Sequence, residues 1–154
     1  MPIARSFAPS ILVLLLAGST AGAQGAAPAS AMAAAAQRSP EELKAIGRKY
    51  AIWLLTARID SLVAHAGTPE IAASTKSDGL EISVGIAGYA GAEVALIEER
   101  MVKRLKKDQY WRIANYSVLR EPMLVRIVVN ADGTYGGVGY NALSQAPPVD
   151  TPAN

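Results

Sequence analysis

The sequence predicts an α+β domain in which a long amphipathic helix lies on an antiparallel sheet. Three observations carry that prediction. A fully signalled helix opens at Ser39, its apolar stripe is too wide to stay solvated, and strand-like segments joined by a turn signal fill residues 110–140.

Composition bounds the rest. The 154 residues allow one domain, and 51% hydrophobic with 18% charged residues excludes a chain disordered throughout. There is no run of 18 apolar residues, so no permanent membrane span is expected. With zero cysteine there are no disulfides, thiol nucleophiles, iron–sulfur clusters or Cys-bound zinc. A single histidine, His65, excludes a metal site that needs two imidazoles from one chain. The 15 Lys and Arg nearly balance the 13 Asp and Glu, which leaves a general nucleic-acid role without electrostatic footing.

Residues 1–23 read as a secretory signal. Arg5 is the sole charge at the start, Ile11–Ala17 is a short apolar core, and Ala21-Gly22-Ala23 supplies small residues for cleavage near Ala23. Seven apolar residues span only about 10 Å as a helix, too short for an anchor. The mature chain is therefore expected to be exported, periplasmic or secreted, and cleavage lowers the net charge of +2 by one. Residues 24–38, made of Ala, Pro, Gly, Ser and Gln with one Met before Arg38, read as a flexible linker. The folded body is expected at residues 39–143, with a loose, Pro-containing tail at 144–154.

Ser39-Pro40-Glu41-Glu42 is a capping box, with Pro at the first helical position and two acids at the positive end of the helix dipole. Leu43, Ile46, Tyr50, Trp53, Leu54, Ala57 and Ser61 recur at three- and four-residue spacing, and Leu62 continues the face. His65 in the last turn, Gly67 as a left-handed cap and Pro69 as a block predict the end of this helix. Tyr110–Leu119 and Met123–Val129 have strand composition, with Val125, Ile127 and Val129 on one face and Leu124, Arg126 and Val128 on the other. Asn130-Ala131-Asp132-Gly133 predicts a hairpin turn with Gly133 left-handed, and Thr134–Tyr140 returns as a strand. Its Gly136, Gly137 and Gly139 imply a bend or a close approach by another element.

The middle is ambiguous. Ile82, Val84 and Ile86 alternate, so local propensity reads Leu80–Ala87 as a strand. Val94, Ile97, Met101, Val102 and Leu105 fit a 3.6-residue period, so it reads Glu93–Lys107 as a helix.

Five short segments occur in a telling order: Gly91-Ala92-Glu93-Val94, Glu98-Glu99-Arg100-Met101-Val102, Tyr110-Trp111-Arg112-Ile113-Ala114-Asn115-Tyr116, Asp132-Gly133 and Gly137-Val138-Gly139-Tyr140. Over roughly residues 42–143 this series resembles an uncharacterised, exported bacterial branch of the nuclear-transport-factor-2-like superfamily, also called cystatin-like or ketosteroid-isomerase-like. The resemblance implies a long N-terminal helix packed across a curved, mostly antiparallel sheet, with a conical cavity between them. It also reverses the middle, implying a short helix over 79–90 and a first long strand over 92–102. Members of the branch stand alone or precede a serine hydrolase or peptidase domain.

Catalytic motifs are sparse. There is no Ser-x-x-Lys, Gly-x-Ser-x-Gly, Walker loop or Gly-x-Gly-x-x-Gly, and no cofactor or metal is expected. Enzymes of the resembled fold use a carboxylate base with a tyrosine in an apolar pocket. Asp60, Tyr50, Tyr89 and Tyr116 are the candidates here, although Asp60 reads as part of a solvated helix surface. His65 suits a general base, yet a cation at a helix C-terminus is equally explained by the dipole. Tyr110, Tyr135 and Tyr140 read as core or cross-strand packing. Lys103-Arg104-Leu105-Lys106-Lys107 reads as a solvated hairpin end, with an anionic lipid surface or a partner as the functional alternative.

The expected function is that of a non-catalytic exported module binding a small apolar ligand or a protein partner through its cavity or sheet face. Tyr50, Trp53, Tyr89, Trp111 and Tyr116 are the cavity candidates. The alternatives are an isomerase- or dehydratase-like enzyme with an acid–tyrosine pair, and an accessory partner of a cell-envelope hydrolase. A homodimer through a patch at Leu124 and Val128 is a further expectation.

Overall fold

The computed structural model describes residues 38–150. The expected signal at 1–23, the expected linker except Arg38, and residues 151–154 lie outside the described residues. Within them come α1 (Pro40–Leu55), α2 (Ile59–Val63), α3 (Pro69–Ala90), β1 (Glu93–Arg104), β2 (Lys107–Tyr116), β3 (Met123–Val129), β4 (Tyr135–Ala142) and a short 3-10 turn, Leu143–Gln145. The strands pair antiparallel in chain order, giving an α+β domain with a four-stranded sheet. No helix among the described residues is long and apolar enough to cross a membrane.

The capping signal places the start of α1. Ser39 Oγ accepts from the Glu42 N–H at 3.2 Å, and the Glu42 carboxylate accepts from the Ser39 N–H at 2.7 Å. Leu43, Tyr50, Ala51 and Leu54 are buried along one side. At Gly47 the helix approaches β2 so closely that a Cβ would lie 2.2 Å from Tyr110 Cβ.

The helix does not run on to His65 as its periodicity implies. Ala57 takes φ +55°. Its N–H donates to the Leu54 carbonyl at 3.1 Å, and the Arg58 N–H donates to the Trp53 carbonyl at 2.7 Å. That crossed pair ends the helix, and α2 then carries Leu62 into the core. A left-handed alanine costs about 1–2 kcal/mol, and with Ala57 rather than glycine at that position the sequence does not mark the break.

Gly67 is not the left-handed cap expected of it. Its N–H donates to the Tyr135 carbonyl at 2.9 Å, and a Cβ there would lie 2.5 Å from Asn130 Nδ2. Close approach, not backbone handedness, fixes that glycine. Pro69 begins a helix rather than only blocking one. It is the first residue of α3, behind Thr68, whose Oγ1 accepts from the Ile71 N–H at 3.3 Å.

Residues 79–107 form helix and then strand, which overturns the reading from local propensity. In α3, Ile86 is buried and Ile82 half-buried one turn away, while Val84 points outward. The apparent alternation is thus two inward residues at helical spacing with an exposed valine between them. The order matches the one implied by the resemblance, but α3 is 22 residues long rather than short. Gly91, at φ +77°, reverses the chain into β1, where a Cβ would meet Ser117 Oγ at 2.3 Å.

β1 and β2 are joined through Leu105 and Lys106, both at positive φ. Non-glycine residues hold that conformation because both N–H groups donate to the Asp150 carboxylate, at 3.0 and 2.9 Å. β3 and β4 are joined by the expected Asn130–Thr134 turn with Gly133 at φ +86°, and Tyr50 Oη donates to the Gly133 carbonyl at 2.8 Å.

One sheet face builds the main core. Tyr110, Ala114 and Tyr116 of β2 with Met123, Val125, Ile127 and Val129 of β3 pack under the buried residues of α1, α2 and α3. The other face carries a smaller cluster of Trp111, Ile113 and Leu124, joined by Val102 and Leu143. Leu124 is fully buried there and Val128 half-buried, so Leu124 offers no exposed surface to the patch on which the homodimer was expected. The described part of the C-terminal stretch is anchored at both ends rather than loose. Leu143 N–H donates to the Pro122 carbonyl at 2.9 Å, and Asp150 N–H donates to the Lys103 carbonyl at 2.8 Å. Residues 143–150 thus run from one end of the sheet to the other.

Candidate functional site: a cavity beside an arginine–glutamate network

α1, α3 and the start of β1 and end of β2 line a cavity of about 500 Å³ that is open to solvent on one side. Ile52 and Leu55 of α1 and Ile86 and Ala87 of α3 supply apolar wall. The polar side chains are Thr56, Ser83, Glu93, Arg112 and Tyr116. The pleat explains why two of these meet: Tyr110, Arg112, Ala114 and Tyr116 alternate onto the helix side of β2. Glu93 lies opposite Tyr116 and Glu99 opposite Arg112. Two β-bulges between Glu93 and Glu98 keep both glutamates on the same side and leave Val94 and Ile97 exposed.

An inward arginine needs acids, and Arg112 has two. Its Nε and Nη2 donate to the two Glu93 oxygens at 2.9 and 2.6 Å, a bidentate fork. Its Nη1 donates to Glu99, which also accepts from Tyr110 Oη and from Arg48 of α1. Two arginines and two glutamates balance.

Burial alone would raise the Glu99 carboxyl, but hydrogen bonds from Arg48 and Tyr110 and the charges of Arg48 and Arg112 hold it below the ordinary range. The Arg112 guanidinium is raised because its bonds to Glu93 outweigh its burial. Burial pushes the Tyr110 hydroxyl up to about 12, reinforced by its bond to Glu99. The Tyr116 hydroxyl also rises to about 12, through burial first and the Glu93 charge second. It is buried and has no hydrogen-bond partner. Among the described residues no group of three His, Asp or Glu side chains is placed to hold a metal ion.

Of the five aromatic candidates, Tyr116 lines this cavity. Tyr50 is core, its ring 5.6 Å from Trp53 and 5.7 Å from Tyr135. Trp53 is half-buried between Lys49 Nζ at 5.0 Å and the Arg58 guanidinium at 5.5 Å. Tyr89 is 57% exposed and Trp111 faces the opposite side of the sheet, so neither joins it. Asp60 is exposed on α2, outside the cavity. His65 is exposed too, its Nδ1 2.9 Å from the Ser61 carbonyl oxygen.

Sequence reasoning missed Glu93, Glu99, Arg112 and Arg48. The signal available was Tyr110-x-Arg112-x-Ala114-x-Tyr116, whose alternation turns a charged residue inward. Compared with family models, curated proteins and solved structures, the chain gives no match.

Proposed function

We propose that this chain is a non-catalytic, exported binding module that holds a small, largely apolar ligand with one polar group in the cavity beside α1 and α3. The supporting observation is the pairing of apolar walls from Ile52, Leu55, Ile86 and Ala87 with a buried, unpartnered Tyr116 hydroxyl at the same cavity. A volume near 500 Å³ suits a compact organic ligand. The fold proposed is the cone-shaped, nuclear-transport-factor-2-like arrangement, with α1 packed on a curved sheet and the cavity as the interior of the cone.

The enzyme reading has one observation in its favour: Glu93 and Tyr116 are a carboxylate and a phenol in one cavity. The Arg112 fork counts against it, because both Glu93 oxygens are already engaged by the guanidinium and neither is left facing a substrate. Binding is therefore the better-supported role.

The test is a titration with an environment-sensitive apolar dye such as N-phenyl-1-naphthylamine. The expected result is saturable fluorescence enhancement, abolished by Ala87→Trp, a wall substitution at an exposed helix position. Absence of saturation in the parent chain, or equal binding by Ala87→Trp, overturns the proposal. Loss of a measured turnover on Glu93→Gln would move the assignment to the enzyme reading.

A further inference from the structure

We infer that the free edge of β1 is a docking edge for a second copy of this chain, which pairs antiparallel through its own β1 about a two-fold axis at Glu99. β1 pairs with β2 and with no other strand, so one long side of its 12 residues is an edge. Leu105 and Lys106, both at positive φ, form the two-residue turn that makes Arg104 and Lys107 a hydrogen-bonded pair. Bonding then alternates along the strand. Arg104, Val102 and Arg100 turn their N–H and C=O groups toward β2, whereas Lys103, Met101 and Glu99 turn theirs outward. The Lys103 carbonyl fits this alternation, since it accepts from Asp150 N–H at 2.8 Å. Among the described residues no backbone bond reaches the outward groups of Met101 or Glu99.

The other outer strand, β4, is covered where it begins. Tyr135 donates its N–H to the His65 carbonyl at 2.8 Å, and its carbonyl accepts from Gly67 N–H at 2.9 Å. The middle of β1 has no such cover, and the strand leaves Val94, Leu96 and Ile97 exposed.

The occupant follows from the strand's own sequence. With Glu99 opposite Glu99 of the second copy, Glu98 lies opposite Arg100 as a close, non-hydrogen-bonded pair. Ile97 is a bulge residue without a partner in the β1–β2 register. With that residue skipped, Leu96 lies opposite Met101, and Ala95 opposite Val102. The faces agree. Leu96 and Met101 stand across from Ala114 and Tyr110 on the helix side, while Ala95, Glu98, Arg100 and Val102 lie on the other side. Each opposition occurs twice about the axis, apolar on apolar and acid on base. Glu98 and Arg100 are both exposed and already pair within one strand at 3.3 Å, so the dimer joins two such pairs into an alternating square of four charges. The two Glu99 carboxylates at the axis bring no bare charge, because each accepts from Arg48, Tyr110 and Arg112. Edge charges that served only to repel a neighbour would set like against like in this register.

The test is sedimentation velocity on the full chain over a concentration series. The expected result is a monomer–dimer equilibrium whose dissociation constant rises at least tenfold in Glu98→Arg and in Arg100→Glu. Mixing those two variants should restore the dimer, because the arginines of one then face the glutamates of the other. Glu81→Arg, the same charge change at an exposed position of α3, should leave the constant unchanged. If Arg100→Glu fails to fold, Arg100→Gln should still weaken association at least fivefold. A chain that is monomeric at every concentration gives the edge to an extended peptide of another protein and overturns the inference. A dimer insensitive to both reversals, unrestored by mixing, or equally weakened by Glu81→Arg overturns it too.

Discussion

The two faces of the sheet each carry a pair of arginines and treat them oppositely. On the helix side Arg48 and Arg112 meet Glu93 and Glu99, and every charge has a partner at hydrogen-bond distance. On the other side Arg104 and Arg126 share no salt-bridged carboxylate among the described residues, and two Nε donors are left over. The lesson is that the same residue type on one sheet can be tied into internal structure or left without an acidic partner. Burial does not separate the two cases, whereas the count of acids does.

The comparison breaks first at Arg112. Replacing it with Met leaves Glu93 and Glu99 without their shared partner, and urea denaturation should register a loss of about 3–5 kcal/mol. A loss below about 1 kcal/mol would mean that the matched network contributes little.

Acid should erase the helix-side network next. The Glu99 carboxyl titrates below its ordinary value of 4.5 in the folded chain. Its stabilising contribution is therefore complete above about pH 4.5 and is lost as the pH falls through the lower folded value. Glu99→Gln should cost about 2 kcal/mol at neutral pH, and the gap from the parent should shrink on acidification. A gap that stays constant from pH 7 to pH 3 would remove Glu99 as the titrating group.

The opposite face should respond with the opposite sign. Arg126→Met removes an unmet buried donor, and should leave stability unchanged or raise it by about 1 kcal/mol. A destabilisation as large as that of Arg112→Met would make the two faces equivalent. The smallest effect is local. Asp150→Asn should speed amide exchange at Leu105 and Lys106, whose N–H groups it caps, while exchange in β3 stays unaltered.

Much of this architecture was legible, and its gaps have physical causes. The start of α1 was readable because Ser39, Pro40 and Glu42 each act locally. Its end was not, because a crossed pair of backbone bonds forces Ala57 into a conformation that its side chain does not favour. β3 was readable from Met123 to Val129, since composition and alternation agree there. β1 was misleading because its charged, exposed edge strand is broken by two bulges, which disguise a period of two. The site was hardest. Arg112 becomes informative only once Glu93 and Glu99 are known to lie on the same strand face, a relation set by pairing rather than by neighbours in the chain.

The anchoring of residues 143–150 bears on biogenesis. These residues are synthesised after all four strands, yet they tie the Pro122 end of the sheet to the Leu105–Lys106 turn. Until they emerge, the Trp111 side of a nascent chain lacks Leu143 and the Asp150 clasp. A newly made domain is thus open on one side, and the final segment of the described chain works as its latch.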